Sequence, residues 1–259
     1  MAIGLKKPLE IEKLRVSNKI VAQTLNFLKD QVKEGMTLKE INKMGEDFIY
    51  AQNARPAFKG LYGFPAGVCT SLNEVVIHGV PDDTVVKNGD ILGLDIGVEK
   101  DGWFGDAAIT FGIGDISKED EDIIACSYDA LMHAIKNIKA GMRFKELSFL
   151  LENFILDRGF VPLRGFCGHG IGKKPHEEPE IPNYLEGNNP KQGPKIKNGM
   201  VFCIEPMICQ KSGIAEIDIH DKWSVRSEDG LKTSHYEHTV AIINNKAEIL
   251  SIDKGELNG

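Results

Sequence analysis

Apolar residues recur every three or four positions over residues 9–34, which is the spacing that collects them on one face of an α-helix. The pattern ends at Gly35. Thr37, followed three residues later by Glu40, is typical of a capping box at a helix start, and it predicts a second helix to about Gln52. The apolar positions of the first helix are Leu14, Ile20, Val21, Leu25, Leu28 and Val32.

The pattern changes to strict alternation near residue 90, after a loop rich in glycine and proline and short strands predicted around 67–78. Asp101-Gly102 is a strong two-residue turn signal, so residues 90–111 are predicted to form a β-hairpin. One face of its first strand is aliphatic, and the other carries an acid between two glycines. The aliphatic face consists of Leu92, Leu94, Ile96 and Val98.

The turn sets a register that places Asp95 opposite Ala108 and Asp106 opposite Gly97. The two acids then lie on one face as diagonal neighbours, roughly 7–8 Å apart at the backbone. Two like charges in a half-buried sheet repel unless protons or cations come between them. Because Gly97 and Ala108 leave space beside the acids, we expect room there for metal ions.

The same order of segments then begins again with a helix predicted over 119–139, so we predict one domain over 1–259 with similar halves at about 9–113 and 118–252. Each half is expected to supply two helices and an antiparallel sheet. Three blocks recur in the same order: residues 33–41 in 139–147, 78–80 in 169–171, and 87–95 in 197–205.

The repeat matches Asp95 with Glu205 at the end of equivalent strands. A second acid strand follows in each half, with Asp106 in the first and Glu237 in the second. If the halves face each other, these four carboxylates meet at the centre together with the His169 loop. Four carboxylates and one imidazole at one place predict a metal site.

Composition limits the remaining possibilities. The chain has 259 residues, 42% hydrophobic residues and a net charge of −7, which is ordinary for a globular protein and argues against a nucleic-acid surface. We expect no membrane span, because no apolar run approaches about 20 residues, and no signal peptide, because the first residues (MAIGLKKPLEIEK) lack an apolar core. The five cysteines contain no CxxC pair, so a reduced, cytoplasmic location is expected.

Five segments together resemble the methionine aminopeptidases, which belong to the pita-bread metallopeptidases. They are residues 69–81 (CTSLNEVVIHGVP), 168–172 (GHGIG), 176–179 (HEEP), 204–207 (IEPM) and 236–239 (YEHT). The resemblance covers nearly the whole chain and implies an α+β fold of two pseudo-symmetric halves. Only 31 residues separate Glu205 from Glu237, which implies the bacterial-like type I class without a helical insertion.

By the family pattern, the metal ligands are Asp95, Asp106, His169, Glu205 and Glu237. Asp106 and Glu237 bridge two divalent ions, Asp95 holds one ion, and His169 and Glu205 hold the other. The ions, which could be Mn, Fe, Co or Zn, share a water whose pKa they lower, and the resulting hydroxide attacks the peptide carbonyl. Glu205 is implied to shuttle the proton.

Two further histidines, His78 and His176, match the family's catalytic histidines that do not bind metal. His78 is implied to hydrogen-bond the scissile amide and His176 the carbonyl oxygen. The remaining histidines receive no such support and are expected to be structural. They are His133, His220, His235 and His238.

By the same resemblance, Phe64, Cys69 and Trp223 line an apolar methionine pocket, with Tyr62 near its rim. The chain departs from the common family pattern at Pro175, Gly97 and Ala108. Pro175 stands where a bulky residue often closes the pocket, and the other two lack hydroxyls often found beside the metal aspartates. We expect these departures to affect pocket shape and metal affinity, and not the class of reaction.

The resemblance implies removal of the initiator methionine from nascent chains when the second residue is small. The substrate amine must be free, the protein is expected to be a monomer, and docking on the ribosome stays open. Two alternatives remain: a peptidase of the same fold specific for Xaa-Pro bonds, and a binding module that has lost its metals. Such modules show gaps among the ligands, whereas all five ligands are present here.

Overall fold

Two pairs of helices lie in the two halves of the chain, in a computed structural model that describes residues 3–253. The helices are α1 (Pro8–Gln31), α2 (Leu38–Ala51), α3 (Lys118–Asn137) and α4 (Phe144–Asp157). The predicted helices are confirmed to within a few residues. The first ends at Gln31, before the expected stop at Gly35, because Val32 is already extended.

The strands are mostly short, and two of them are long. They are β1 (Arg55–Pro56), β2 (Cys69–Leu72), β3 (Val75–Ile77), β4 (Ile91–Lys100), β5 (Trp103–Gly112), β6 (Val161–Pro162), β7 (Cys167–Gly170), β8 (Glu177–Pro182), β9 (Val201–Ile204), β10 (Met207–Cys209), β11 (Ala215–Ile217), β12 (Val225–Ser227), β13 (Ser234–His235), β14 (Glu237–Ile243) and β15 (Lys246–Ile249).

The long strands β4 and β5 form the predicted hairpin in the predicted register. Asp95 pairs with Ala108, Gly97 with Asp106, and Lys100 with Trp103 beside the turn. Both turn residues have positive φ, 52° at Asp101 and 78° at Gly102, as expected for a tight two-residue connection. The aliphatic face of β4 is fully buried, so the alternation in the sequence reflects burial on one side.

The two halves share one sheet, which corrects the expectation of a separate sheet in each. Nine strands form this sheet in the order β1-β4-β5-β14-β9-β7-β8, with β2 on β4 and β15 on β14. The halves join where Glu237 and His238 of β14 pair with Ala108 and Ala107 of β5. Two three-stranded sheets, β13-β10-β6 and β11-β12-β3, lie beside it.

Backbone hydrogen bonds repeat between the matched blocks. Gly35 donates its N–H to Val86 at 2.9 Å, and Gly141 donates to Ile196 at the same distance. Both glycines have φ above 90°, where a side chain would strain the backbone. Gly89 and Gly199, which precede β4 and β9, also have positive φ. Gly89 donates its N–H to Ile113, just past β5, and Gly199 donates to Ile242 in β14.

Helices cover one face of the large sheet, and the predicted metal ligands lie on the opposite face. The core of the first half packs α1 and α2 against β4 and β5, and the core of the second half packs α3 and α4 against β9 and β14. Within residues 3–253, no helix is both long and apolar enough to cross a membrane. The predicted domain limits at residues 1 and 259 lie outside the described residues.

Candidate metal centre

The predicted ligands converge on the face of the large sheet that lies opposite the helices. Neighbouring strands arrange them there in two rows. In the first row, Asp95 pairs with Ala108 and Ala108 pairs with Glu237. Glu205 directly follows β9, whose last residue pairs with the neighbour of Glu237, so it extends this row. Strand pairing between the halves therefore brings three carboxylates from distant parts of the chain side by side.

The second row lies one step further along the strands. Asp106 pairs with Gly97 on β4, and the carbonyl of Asp106 accepts a hydrogen bond from Thr239 on β14 at 2.8 Å. Cys203 pairs with Thr239, and Gly170 of β7 pairs with Phe202 of β9. Continuing that register by one residue places His169 opposite Cys203. Asp106 and His169 thus lie in one row, with Thr239 and Cys203 between them.

Each of the four carboxylates has a buried oxygen without a hydrogen-bond partner among the described residues. These oxygens are Oδ1 of Asp95, Oδ1 of Asp106, Oε1 of Glu205 and Oε1 of Glu237. His169 Nε2 lies 3.5 Å from Oε1 of Glu205 and 3.9 Å from Oδ2 of Asp106. These separations are too long for hydrogen bonds, and they suit donors that share a cation.

His169 presents a free nitrogen lone pair to the carboxylates. Its Nδ1 lies 3.1 Å from the carbonyl of Gly170, so Nδ1 carries the proton and donates it. Burial lowers the pKa of His169 to about 3, which keeps the ring neutral. A neutral imidazole whose second nitrogen is held by a backbone carbonyl is the usual form of a metal-binding histidine.

The four carboxylates would repel one another if they were ionised with no cation between them. Burial raises the pKa of Asp95 to about 7, and burial together with the adjacent carboxylates holds the pKa values of Asp106, Glu205 and Glu237 well above their usual range. Protonation or bound cations must offset this repulsion. The donors, mostly oxygens with one imidazole, fit divalent first-row ions.

A cavity of about 670 Å³ opens onto the face that carries the predicted ligands. The predicted pocket residues Phe64, Cys69 and Trp223 all line it, and Phe64 and Trp223 meet edge to face with ring centroids 5.4 Å apart. Tyr62 also lines it and is 77% exposed, in keeping with a place at the rim. The structure therefore brings all four residues to one cavity.

His78 and His176 reach the same cavity from different elements. His78 follows β3 with a φ of 56°, an uncommon conformation for a residue with a side chain. Gly79 behind it packs so closely on β2 that an added Cβ would lie 2.2 Å from the Thr70 carbonyl oxygen. His176 stacks with Tyr62, and its ring centroid lies 4.5 Å from that of His169.

The expected space beside Gly97 is filled, which corrects the prediction for this position. A Cβ on Gly97 would lie 2.5 Å from Cε1 of Phe58, whose ring covers the glycine. Phe58 is buried and lines the cavity together with Phe64 and Cys69. The missing side chain at Gly97 therefore gives an aromatic ring a place in the pocket wall, which the strand pattern alone does not reveal.

Two residues of the site were not identified from the sequence as functional. Cys203 is buried with donor atoms of Asp106, His169 and Glu237 within 4.8 Å, and its raised pKa keeps the thiol protonated. His235, expected to be structural, is buried with its Nε2 3.8 Å from Oε2 of Glu205. The available signal was spacing, because each stands two residues before a predicted ligand in the sequence.

Comparisons with known proteins agree with this geometry. Residues 12–244 match the model of metallopeptidase family M24. The chain is 63% identical over 252 residues to the methionine aminopeptidase of Helicobacter pylori, covering 97% of this chain and 99% of that protein. The crystal structure of methionine aminopeptidase from Rickettsia prowazekii superposes with a TM-score of 0.94 at 33% identity, covering 97% of this chain and 100% of the other.

A prolidase from Pyrococcus furiosus shares the fold alone, with a TM-score of 0.78 and 24% identity. The match covers 96% of this chain and 66% of the prolidase. The family match, the high identity over nearly the full length and the close superposition all lead to one assignment. The chain belongs to metallopeptidase family M24 and, within it, to the methionine aminopeptidases.

Proposed function

We propose that the protein removes N-terminal methionine from polypeptides whose second residue is small, using two divalent ions. The single observation that carries this proposal is the set of four unpartnered carboxylate oxygens facing one neutral imidazole. Four ionised carboxylates balance the charge of two divalent cations. A structural role for such a cluster would require its acids to stay protonated, at a cost to folding.

Asp95, Asp106, His169, Glu205 and Glu237 would hold the ions, and Asp106 and Glu237 would contribute to both. Asp106 and Glu237 are the most buried of the four acids, at 3% and 2% exposure, which suits the central position. When bound, the two ions supply Lewis acidity that lowers the pKa of a water and attracts the substrate's free amine. Manganese, iron, cobalt and zinc are all compatible with these donors.

The chain's own side chains provide the proton transfer and the orientation of the substrate. Glu205 accepts a proton at its carboxylate and passes it on, since this carboxylate lies among the proposed ligands and lines the cavity. His78 is neutral, because burial lowers its pKa to about 4, and it donates a hydrogen bond to the scissile amide. His176, which lines the same cavity, donates to the carbonyl oxygen as negative charge develops there.

The apolar side of the cavity selects the methionine side chain. Phe58, Phe64, Cys69 and Trp223 offer an aromatic and sulfur-containing surface that suits a thioether, and Tyr62 lies at the entrance. Binding at this end leaves the second substrate residue against the polar part of the site.

The wider setting follows from this activity. We propose that the substrates are nascent chains with a free amino group, and that the protein acts as a monomer in the cytoplasm. The five cysteines are free, as expected in a reducing compartment. We also propose that one catalytic domain contains both halves, 9–113 and 118–252, because the ligands come from both. Docking on the ribosome is a separate possibility, to be tested by sedimentation with ribosomes.

The test is a comparison of peptides and metals. Metal-depleted protein is titrated anaerobically with Mn²⁺, Fe²⁺, Co²⁺ or Zn²⁺, and cleavage of Met-Gly-Met is compared with cleavage of an Xaa-Pro peptide. We expect methionine release that depends on added metal, with calorimetry reporting two ions per chain. Cleavage of the Xaa-Pro peptide alone would assign the prolidase activity instead. A protein that binds no divalent ion would be a binding module.

A matched pair of variants controls for indirect effects. Asp106→Asn removes a proposed bridging ligand, whereas Asp101→Asn changes an exposed acid in the turn of the same hairpin. We expect only the first to lose metal and activity. Equal loss in both variants would show that the hairpin acts through its stability and would contradict the proposed ligand role.

A further inference from the structure

His235 is a buried histidine that the proposed mechanism does not use. It ends β13, two residues before Glu237, and only 4% of it is exposed. Its Nε2 is buried and has no hydrogen-bond partner within the described part of the chain. Apart from Thr70 and Asn183, the side chains with such an atom are His235 and the four acids of the metal centre. His235 therefore shares with the four carboxylate ligands a buried polar atom that has no hydrogen-bond partner among the described residues.

Glu205 lies between two imidazoles, and each of its oxygens faces a different one. Oε1 faces His169 at 3.5 Å, and Oε2 faces His235 at 3.8 Å. His169 turns a lone pair toward Oε1, because its other nitrogen donates to Gly170. Oε1 and His169 are therefore directed at a cation, and Oε2 is left for His235. A ring N–H at Nε2 has Glu205 as its nearest charged acceptor.

The backbone of His235 is held from the strand that carries Asp106. Thr110 Oγ1 donates to the His235 carbonyl at 2.8 Å and accepts from the His235 N–H at 3.0 Å. Met207 pairs with His235 on the other side. The backbone of His235 is thus held on both sides, by Thr110 and by Met207. The Glu205 side chain is the longer and more flexible of the two. Such an arrangement suits a group that orients a carboxylate.

We propose that His235 is a positioning residue. Its Nε2–H lies 3.8 Å from the outer oxygen of Glu205, beyond hydrogen-bond distance, and closes to a hydrogen bond when Glu205 binds a metal ion, so that the inner oxygen stays directed at the metal and His169. This role rests on Glu205 being a metal ligand, as proposed above. Carboxylate ligands are commonly fixed by a second hydrogen bond, which sets the oxygen that remains free to bind the ion. His235 does not line the cavity, so it acts through Glu205 and not on the substrate.

The experiment measures Mn²⁺ binding to metal-depleted protein by titration calorimetry, without reference to turnover. His235→Leu removes the N–H at similar volume, and His235→Gln retains an N–H donor of similar reach. We expect His235→Leu to weaken the affinity for the ion by about 10- to 100-fold, as is usual for groups that orient ligands. His235→Gln is expected to bind within about threefold of wild type.

Two further variants separate this role from a general effect on folding. Thr110→Val keeps the His235 ring but releases its backbone, and we expect a smaller loss of affinity in the same direction. His238→Gln changes a half-buried histidine beside Glu237 whose Nδ1 bonds Ser251 at 2.9 Å, and we expect unchanged affinity. In peptide assays at saturating metal, His235→Leu should lower kcat and leave KM within about twofold, as it removes no substrate contact.

The results distinguish this proposal from the proposed function. Wild-type affinity in His235→Leu would overturn the positioning role, whatever the protein cleaves. Equal weakening in His235→Leu and His235→Gln would also overturn it, because the N–H donor would then be irrelevant. A wild-type protein that binds Mn²⁺ but releases no methionine would contradict the proposed function alone, and the affinities would still decide the role of His235.

Discussion

The two pairs of strands that carry the carboxylates are built in different ways. β4 and β5 are adjacent in sequence and pair over ten residues each, with a two-residue turn, so a regular ladder places Asp95 and Asp106. β9 and β14 also pair, but Glu205 and Glu237 are separated by 31 residues that contain four short strands. The first pair is therefore a continuous hairpin, whereas the second pair is interrupted in sequence by other strands.

The two pairs of strands therefore contribute different groups to the site. The uninterrupted hairpin carries no histidine and gives two acids at fixed positions. The interruption in the second pair supplies Trp223 to the pocket and His235 to Glu205. Repeated halves can therefore share a ligand framework, while the interruption in the second pair adds further side chains to the site. Changes in the hairpin should act on the metal directly, and changes in the interruption should act through neighbours.

The largest effect is expected from the hairpin ligand. Asp106→Asn removes a charge that we propose is shared by both ions, and metal affinity and kcat/KM should each fall by more than about 100-fold, the upper range for groups that only orient ligands. Calorimetry and methionine release measure the two losses. A variant that removes methionine at the wild-type rate would contradict this expectation, since it would show that the β4–β5 hairpin does not hold the metal.

The next effect concerns stability of the metal-depleted protein as a function of pH. Burial raises the pKa of Asp95 from 3.8 to about 7, so the unfolded chain ionises this group first. Unfolding free energy should therefore fall as pH rises from about 4 to about 7, by an amount on the order of a few kcal/mol. Urea unfolding across this range measures the slope, and Asp95→Asn should make it shallower, with the remainder due to the raised pKa values of Asp106, Glu205 and Glu237. Added metal should restore stability at pH 7.

A smaller effect is expected where the hairpin meets the pocket. Gly97→Ala forces Cβ against Phe58, and overpacking of this kind costs about 1–3 kcal/mol and should raise KM for methionine peptides. Gly93→Ala on the same strand is the control, because its nearest contact, Ser71 Cβ, is 3.3 Å away. Phe58→Leu should partly rescue Gly97→Ala. An unchanged KM would show that Phe58 does not shape the methionine pocket.

The smallest effect compares the helix starts of the two halves. Thr37 accepts a hydrogen bond from the Glu40 N–H at the start of α2, whereas Arg143 makes no such side-chain cap at the start of α4. Thr37→Ala should lower stability by about 1 kcal/mol, and Arg143→Ser should raise it by about 0.5–1 kcal/mol. Thermal unfolding measures both. Stabilisation by both changes, or by neither, would contradict the assigned difference in capping.

Local patterns in the sequence determined much of this protein. Alternation in β4 and the Asp101-Gly102 turn set the hairpin register without any distant contact, because a two-residue turn leaves one pairing that buries the aliphatic face. Helical periodicity and the capping box at Thr37 similarly located α1 and α2. The order of motifs identified the family, and the repeated blocks pointed to the pairing of Asp95 with Glu205 as equivalent acids.

Tertiary structure alone decided how these pieces meet. The joining of both halves into one sheet depends on pairing between β5 and β14, which are more than 100 residues apart and have no turn to set their register. The ring of Phe58 over Gly97 and the imidazole of His235 against Glu205 are likewise contacts across the fold. Sequence periodicity reports which side of a strand is buried, and only packing decides which distant side chain covers it.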